Sequence, residues 1–213
     1  MVVRSDDASK MSDAQLLDYS KEHVYYELWM LFETAARLKD GSNVDDRLVK
    51  NSVIEAFTIH ARTVAEFLYP DRPDAPRRPS DVTAKQYVRD VGPWVKARGP
   101  VPAVLQEVFT RTAKEIAHLT TGRHPFGAAE KSWKPDPILD ALREPLSLFV
   151  AHVIPERLHV SVRTFIVEQG RAPTSAEAAN VHSTSTQVTL VSGPVSDGPL
   201  TDVRTVGPPP SWR

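Results

Sequence analysis

The amino-acid sequence predicts an all-α protein, a bundle of four to five helices built on a long antiparallel helical hairpin. Two observations lead to this prediction. All 18 prolines lie at or after Pro70, so the first third of the chain is free to form long helices, which exclude proline from their interiors. In that third, apolar residues recur with the helical period of about 3.6. We expect the bundle over residues 12–158, followed over 159–213 by a poorly ordered tail rich in Pro, Ser, Thr and Gly.

The first helix is predicted to begin after Ser12, because Ser12 and Gln15 match a capping box, and to end near Asp40. Helical periodicity gives it one apolar face, formed by Leu17, Val24, Leu28, Leu31, Phe32, Ala35 and Leu38. A second stripe, on the opposite side, holds Tyr19, Tyr26, Trp29 and Met30. Two explanations are open: either this helix is central in the bundle and packs on both sides, or the stripe is a homodimer interface.

The second helix is predicted to be capped by Asn43 and to stop before Pro70. His60 lies at the edge of its apolar face and Arg62 on the opposite side, near Glu66. We expect His60 to be a hydrogen-bonded packing residue and Arg62 to form a salt bridge with Glu66 or Glu55. The alternative is that His60 faces the fourth helix and shares a cleft with residues 117–120.

Beyond Pro70 the chain is predicted to form shorter elements, separated by prolines and glycines. In order, these are a stiff linker over 70–80, a short helix over 81–90, turns over 92–102, a fourth helix over 102–121 and a fifth from Asp136. Residues 160–167 have the β-branched content of a strand, and 187–191 would be its partner. We favour an irregular tail over this hairpin.

Composition excludes several classes of protein. The chain has no cysteine, so it has neither a disulfide nor a thiolate metal site, and no group of histidines has the spacing of a metal site. We predict no metal and no cofactor, since no phosphate-binding or dinucleotide-binding motif occurs. No run of about 18 apolar residues and no secretory signal is present, which predicts a cytoplasmic protein without a membrane span.

Charge is unevenly distributed, although the whole chain carries a formal charge of only -1. Residues 84–134 hold nine basic and four acidic side chains, whereas residues 1–50 hold ten acidic and seven basic ones. The basic segment, with Trp94, Phe126 and Trp133 in or beside it, is compatible with a phosphate-rich partner such as RNA. It is equally compatible with self-association against the acidic first hairpin.

The fourth helix carries the best candidate for chemistry. In a regular α-helix Arg111 and His118 lie on one polar face, together with Lys114 and Glu115. A histidine there has the right chemistry to take the proton of a ribose 2'-hydroxyl, and an arginine to stabilise charge on the phosphoryl oxygens. The competing explanation is an ordinary solvated face on which Glu107, Arg111 and Glu115 form i,i+4 ion pairs.

The stretches I-H-A-R (59–62) and A-H-L-T (117–120) resemble an uncharacterised family of prokaryotic helical proteins. The helical plan and the spacing of Arg111 and His118 are also similar to the HEPN superfamily, although Thr112 stands where Asn, Asp or His is commoner. This resemblance implies a dimeric, metal-independent ribonuclease of a toxin or defence system. Arg111 and His118 would be catalytic, with His60, Lys114 and Glu115 in support, and the partners would be RNA and a protein antidote.

Two hypotheses for function follow. The first is this HEPN-like ribonuclease. The second is a non-catalytic helical interaction protein that dimerises, or binds a protein partner, through the aromatic stripe.

Overall fold

The computed structural model describes residues 11–40, 46–71, 78–117 and 132–170. Within these ranges every regular element is helical, except for an isolated antiparallel bridge between Val88 and Val153, so the all-α prediction is confirmed. The elements are α1 (Asp13–Tyr19), a first π-turn (Ser20–Val24), α2 (Tyr25–Asp40), α3 (Arg47–Leu68), α4 (Val91–Arg98), α5 (Ala103–Arg111), a second π-turn (Thr112–Ala117), α6 (Pro135–His152) and α7 (Val160–Gly170).

The first π-turn joins α1 and α2 end to end. The predicted capping box is present at the start of α1, where the backbone N–H of Gln15 donates to the Ser12 hydroxyl at 3.3 Å and the N–H of Ser12 donates to Gln15 Oε1 at 2.8 Å. At the π-turn the N–H of Tyr25 reaches the carbonyl of Ser20, five residues back. This turn holds one residue more than a regular helical turn.

The extra residue changes which side chains of the first helix share a face. Leu16 and Ser20 are buried together with Val24 and Leu28, whereas Leu17, which the regular period had placed in the core, is only partly buried. The extra residue in the turn rotates the side chains of α1 about the helix axis by about 100°, relative to those of α2, from where a regular helix would place them. The predicted apolar face is therefore wrong for α1 and correct for α2.

Helix α3 begins later than predicted. Asp46, in extended conformation, is its N-cap and accepts the N–H of Leu48 at 2.7 Å, so the prediction of a cap at Asn43, which lies outside the described residues, is wrong. Helix α2 makes its most extensive contact with α3. Glu27 at the start of α2 touches His60 in the second half of α3, so the two helices run antiparallel, as predicted.

The segment after the linker differs from its prediction. Only a 3₁₀ turn, Ala84–Gln86, forms where a helix over 81–90 was expected, and α4 occupies part of the segment predicted as turns. Asp90 explains the shift, because its carboxylate accepts the N–H of Gly92 at 3.1 Å and caps α4. Pro93 falls in the first turn of α4, where a missing N–H breaks no intrahelical bond.

Helix α6 is the central element and packs against α2, α3, α4, α5 and α7. It stays continuous through Pro145, which is buried. Phe149 of α6 is fully buried and meets the rings of Phe67 at 5.3 Å and Tyr87 at 6.0 Å in edge-to-face geometry. This cluster fixes the second half of α3 against the middle of the bundle.

Helix α7 corrects the predicted end of the bundle. Residues 160–170 form a helix rather than a strand or an irregular tail, so the boundary at residue 158 is wrong. Val162 and Ile166, one helical turn apart, are buried in the core. The N–H of His159 donates to the hydroxyl of Ser20 at 2.9 Å. The remainder of the predicted tail and its strand, 187–191, lie outside the described residues.

Candidate functional site

Arg111 lies at the end of α5 inside a cluster of ion pairs. Its Nε and Nη2 donate to the two carboxylate oxygens of Glu115 at 2.7 and 3.1 Å, and its Nη1 donates to Glu107 at 3.3 Å. The guanidinium also lies 4.2 Å from the ring centroid of Trp133. Its side chain is 17% exposed and that of Glu115 is 12% exposed. The hydrogen bonds that Arg111 donates to the carboxylate of Glu115 are the main cause of its raised pKa.

This geometry confirms the ion pairs that sequence spacing suggested for Glu107, Arg111 and Glu115. The fork of Arg111 binds a carboxylate with two parallel hydrogen bonds, the same geometry by which arginine binds a phosphoryl group. A substrate phosphate would therefore have to displace Glu115 before it could bind Arg111 in this way.

Two further features of the candidate site differ from its prediction. Residues Thr112–Ala117 form a π-turn rather than a regular α-helix, so the regular spacing on which the shared face was based is wrong. Thr112, the polar residue after the arginine, is 3% exposed and belongs to the core. Lys114 is exposed. His118, the predicted acid/base residue, lies outside the described residues, and its role stays a prediction.

His60 is joined to the first helix, and residues 118–120, with which the alternative would place it in a cleft, lie outside the described residues. Its Nδ1 lies 2.7 Å from Oε2 of Glu27, and the edge of its ring meets Tyr26 at a centroid distance of 5.6 Å. The residue is 8% exposed. In a neutral imidazole a carboxylate at Nδ1 holds the proton on that nitrogen and leaves Nε2 as the acceptor. The prediction of a hydrogen-bonded packing residue is confirmed.

Arg62 behaves as the sequence indicated, with its Nε donating to Glu66 at 2.9 Å. Within the described residues no hydrogen bond or ion pair links His60 or Arg62 to Arg111. The structure therefore joins Arg111 to Glu115 but not to His60 by a hydrogen bond or ion pair, and the position of His118 relative to them lies outside the described residues.

The predicted aromatic stripe is divided by the first π-turn. Tyr26 and Trp29 are 47% and 44% exposed, and their ring centroids lie 6.4 Å apart. Met30 beside them is partly buried. Tyr19 lies about 120° from Tyr26 around the helix axis, where its ring meets His23 at 4.5 Å. We call Tyr26 and Trp29, with Met30, the aromatic face.

Neither metal ligands nor a membrane span is found in the described part of the chain. No three His, Cys, Asp or Glu side chains there are grouped so that they could hold a metal ion. No helix in the same residues is both long and apolar enough to cross a bilayer.

Comparison with protein-family models, with curated proteins and with solved structures gives no match for this chain. The resemblance to the HEPN superfamily therefore stays a prediction.

Proposed function

We propose that this protein is a helical interaction module that binds a second copy of itself through the aromatic face. The observation that carries this proposal is the exposure of Tyr26 and Trp29, which are in contact with one another on the outside of α2. Aromatic side chains contribute more apolar area per residue than others and are enriched at the centres of interfaces.

The neighbouring helix α3 carries a further exposed apolar side chain and a residue that touches Tyr26. Ile59 is 47% exposed, and the next residue, His60, touches Tyr26. Since His60 is also held by Glu27, the ring of Tyr26 is supported from below by a fixed side chain. Such support reduces the entropy that an aromatic anchor loses when it binds a partner.

The charges that flank the aromatic face favour a second copy as the partner. Glu33 and Arg37 form an ion pair at 3.0 Å one turn beyond Trp29, and Arg62 pairs with Glu66 beyond Ile59. Each pair is neutral within one chain. Two identical faces can therefore approach each other without the like-charge repulsion that an unpaired rim would create.

Size-exclusion chromatography with light scattering tests the proposal on the full chain. The expected mass is twice the 23.7 kDa of one chain, and the double variant Tyr26→Glu, Trp29→Glu should elute as a monomer. Val167→Glu is a matched control, because Val167 is 46% exposed on α7, and it should stay dimeric. A monomeric wild-type protein at every concentration would contradict the proposal.

A further inference from the structure

The first turns of α3 carry no packed side chains. Every residue over 47–52 is exposed, and Leu48, at 73%, is the most exposed large apolar residue of the described part of the chain. In proteins most of the stability of a helix comes from the packing of its apolar face. Within one chain the start of α3 therefore lacks the packing that would stabilise it.

Leu48 shares a face of α3 with Ile59. The two residues lie eleven positions apart, which in a regular α-helix is about 20° around the axis and about 16 Å along it. Ser52 and Glu55 lie between them on the same face, and all four residues are exposed. Phe57, about 180° around the axis from Leu48, is fully buried. These four exposed residues, which we call the outer face of α3, thus point away from the core.

The aromatic face alone is too small for a stable interface. Tyr26 and Trp29 are each a little under half exposed, which amounts to about 200 Å² for the two side chains together. A stable interface covers about 800 Å² of each partner. Self-association through the aromatic face therefore needs a further surface. The outer face of α3 lies within one residue of it, because Ile59 directly precedes His60, whose ring meets Tyr26 at 5.6 Å.

The one charged residue of the outer face decides how two copies can pair. A closed dimer has two-fold symmetry, so each contact occurs twice. If the two copies of α3 ran parallel, Glu55 of one copy would face Glu55 of the other, and the like charges would repel. If they run antiparallel with Leu48 opposite Ile59, Glu55 faces Ser52, whose hydroxyl already donates to the Leu48 carbonyl at 2.9 Å. Antiparallel pairing therefore matches apolar residues at both ends and offsets the two carboxylates.

We propose that two copies of the chain pair through antiparallel α3 helices, with Leu48 of each copy packed on Ile59 of the other. This inference rests on the self-association proposed above and adds to it a second contact surface and a direction of pairing. Leu48 of each copy then lies at the end of the outer face that is next to the aromatic face of the other copy.

Cross-linking of introduced thiols tests the direction of pairing, since the chain has no cysteine of its own. Leu48→Cys and Ile59→Cys are purified separately and treated with a short bis-maleimide, each alone and as an equal mixture. The mixture should give a covalent dimer on a denaturing gel, because the two positions face each other. Each variant alone should give little product, since identical positions lie about 16 Å apart along the helices.

Light scattering on the wild-type chain and both variants separates this inference from the proposal on which it rests. A dimeric mass, with no more product in the mixture than in either variant alone, would overturn antiparallel pairing and leave self-association intact. Efficient cross-linking of each variant with itself would indicate parallel helices and overturn the inference as well. A monomeric wild-type chain at every concentration would contradict both proposals.

A matched pair of substitutions tests whether Leu48 lies in the interface. Leu48→Glu should raise the dissociation constant by at least about tenfold, because it places a carboxylate against an apolar side chain of the second copy. Val160→Glu is the control, since Val160 is 65% exposed on α7, and it should leave the dissociation constant unchanged. An equal effect of the two substitutions would show that Leu48 has no specific place in the interface and would overturn the inference.

Discussion

Replacement of Trp29 by alanine should weaken self-association by a measurable and calculable amount. The indole is 44% exposed in one chain. A tryptophan side chain presents up to about 250 Å², so an interface would cover about 110 Å² of it. At about 25 cal/mol/Å² this area is worth about 3 kcal/mol in each subunit. Because burial at an interface is incomplete and alanine keeps part of the area, we expect a loss of about 2–4 kcal/mol for the dimer.

This loss corresponds to a dissociation constant raised by roughly 30- to 700-fold. Sedimentation equilibrium over a series of concentrations measures it directly, with far-ultraviolet circular dichroism to show that helix content is unchanged. Val167→Ala provides the control, since it truncates a side chain of similar exposure on α7. An equal effect of Val167→Ala, or an unchanged dissociation constant for Trp29→Ala, would refute the reasoning from the aromatic face.

Three other outcomes are expected. If the chain is a metal-independent ribonuclease, His118→Ala should lower RNA cleavage, measured in the presence of a chelator, by about 100- to 10,000-fold at unchanged helix content. Arg111→Lys should also impair cleavage in the same assay. Equal cleavage by wild type and His118→Ala would contradict the ribonuclease hypothesis. Removal of residues 171–213 should leave the melting temperature nearly unchanged. A chain that ends at Leu158 should have a melting temperature several degrees lower, because α7 contributes buried side chains to the core. Equal melting temperatures for the two truncated chains would contradict this prediction. Tyr69→Phe should leave the free energy of unfolding unchanged or raise it, because the deleted hydroxyl has no hydrogen-bond partner among the described residues. Urea denaturation measures this free energy. A decrease of more than about 1 kcal/mol would show that the hydroxyl is hydrogen-bonded.

The hairpin illustrates what could be predicted from the sequence. Ser12 and Gln15 cap the first helix as their spacing indicated, because a capping box depends only on residues three apart. The pairing of Glu27 with His60 could not be predicted in the same way, because the two residues lie 33 positions apart in the chain. The register of α2 against α3 decides this contact. That register depends on where α3 begins, and the sequence placed the N-cap three residues too early.

Helix α7 shows why local preference can fail. Its β-branched residues favour a strand, yet the described residues provide no sheet for a strand to join. Val162 and Ile166 share a helical face that fits the space beside α6, and this packing outweighs the small cost of β-branched side chains in a helix. The regular helical spacing assumed for the candidate catalytic face was wrong because the second π-turn after Arg111 cannot be predicted from helical periodicity.

The first π-turn gives the chain a tolerance to changes in length. The turn contains one residue more than a regular helix would have between α1 and α2. Leu16 before the turn and Leu28 after it are nevertheless both buried in the same core. Loss of a single codon within Ser20–Val24 would therefore convert the turn to regular α-helix and leave both flanking faces where they are. The same loss in the middle of α3 would rotate half of that helix by about 100° and expose its core side chains. Natural variation in the length of this protein should thus be concentrated at the turn. In an alignment of related sequences, a one-residue gap at this position would identify chains that share a common ancestor.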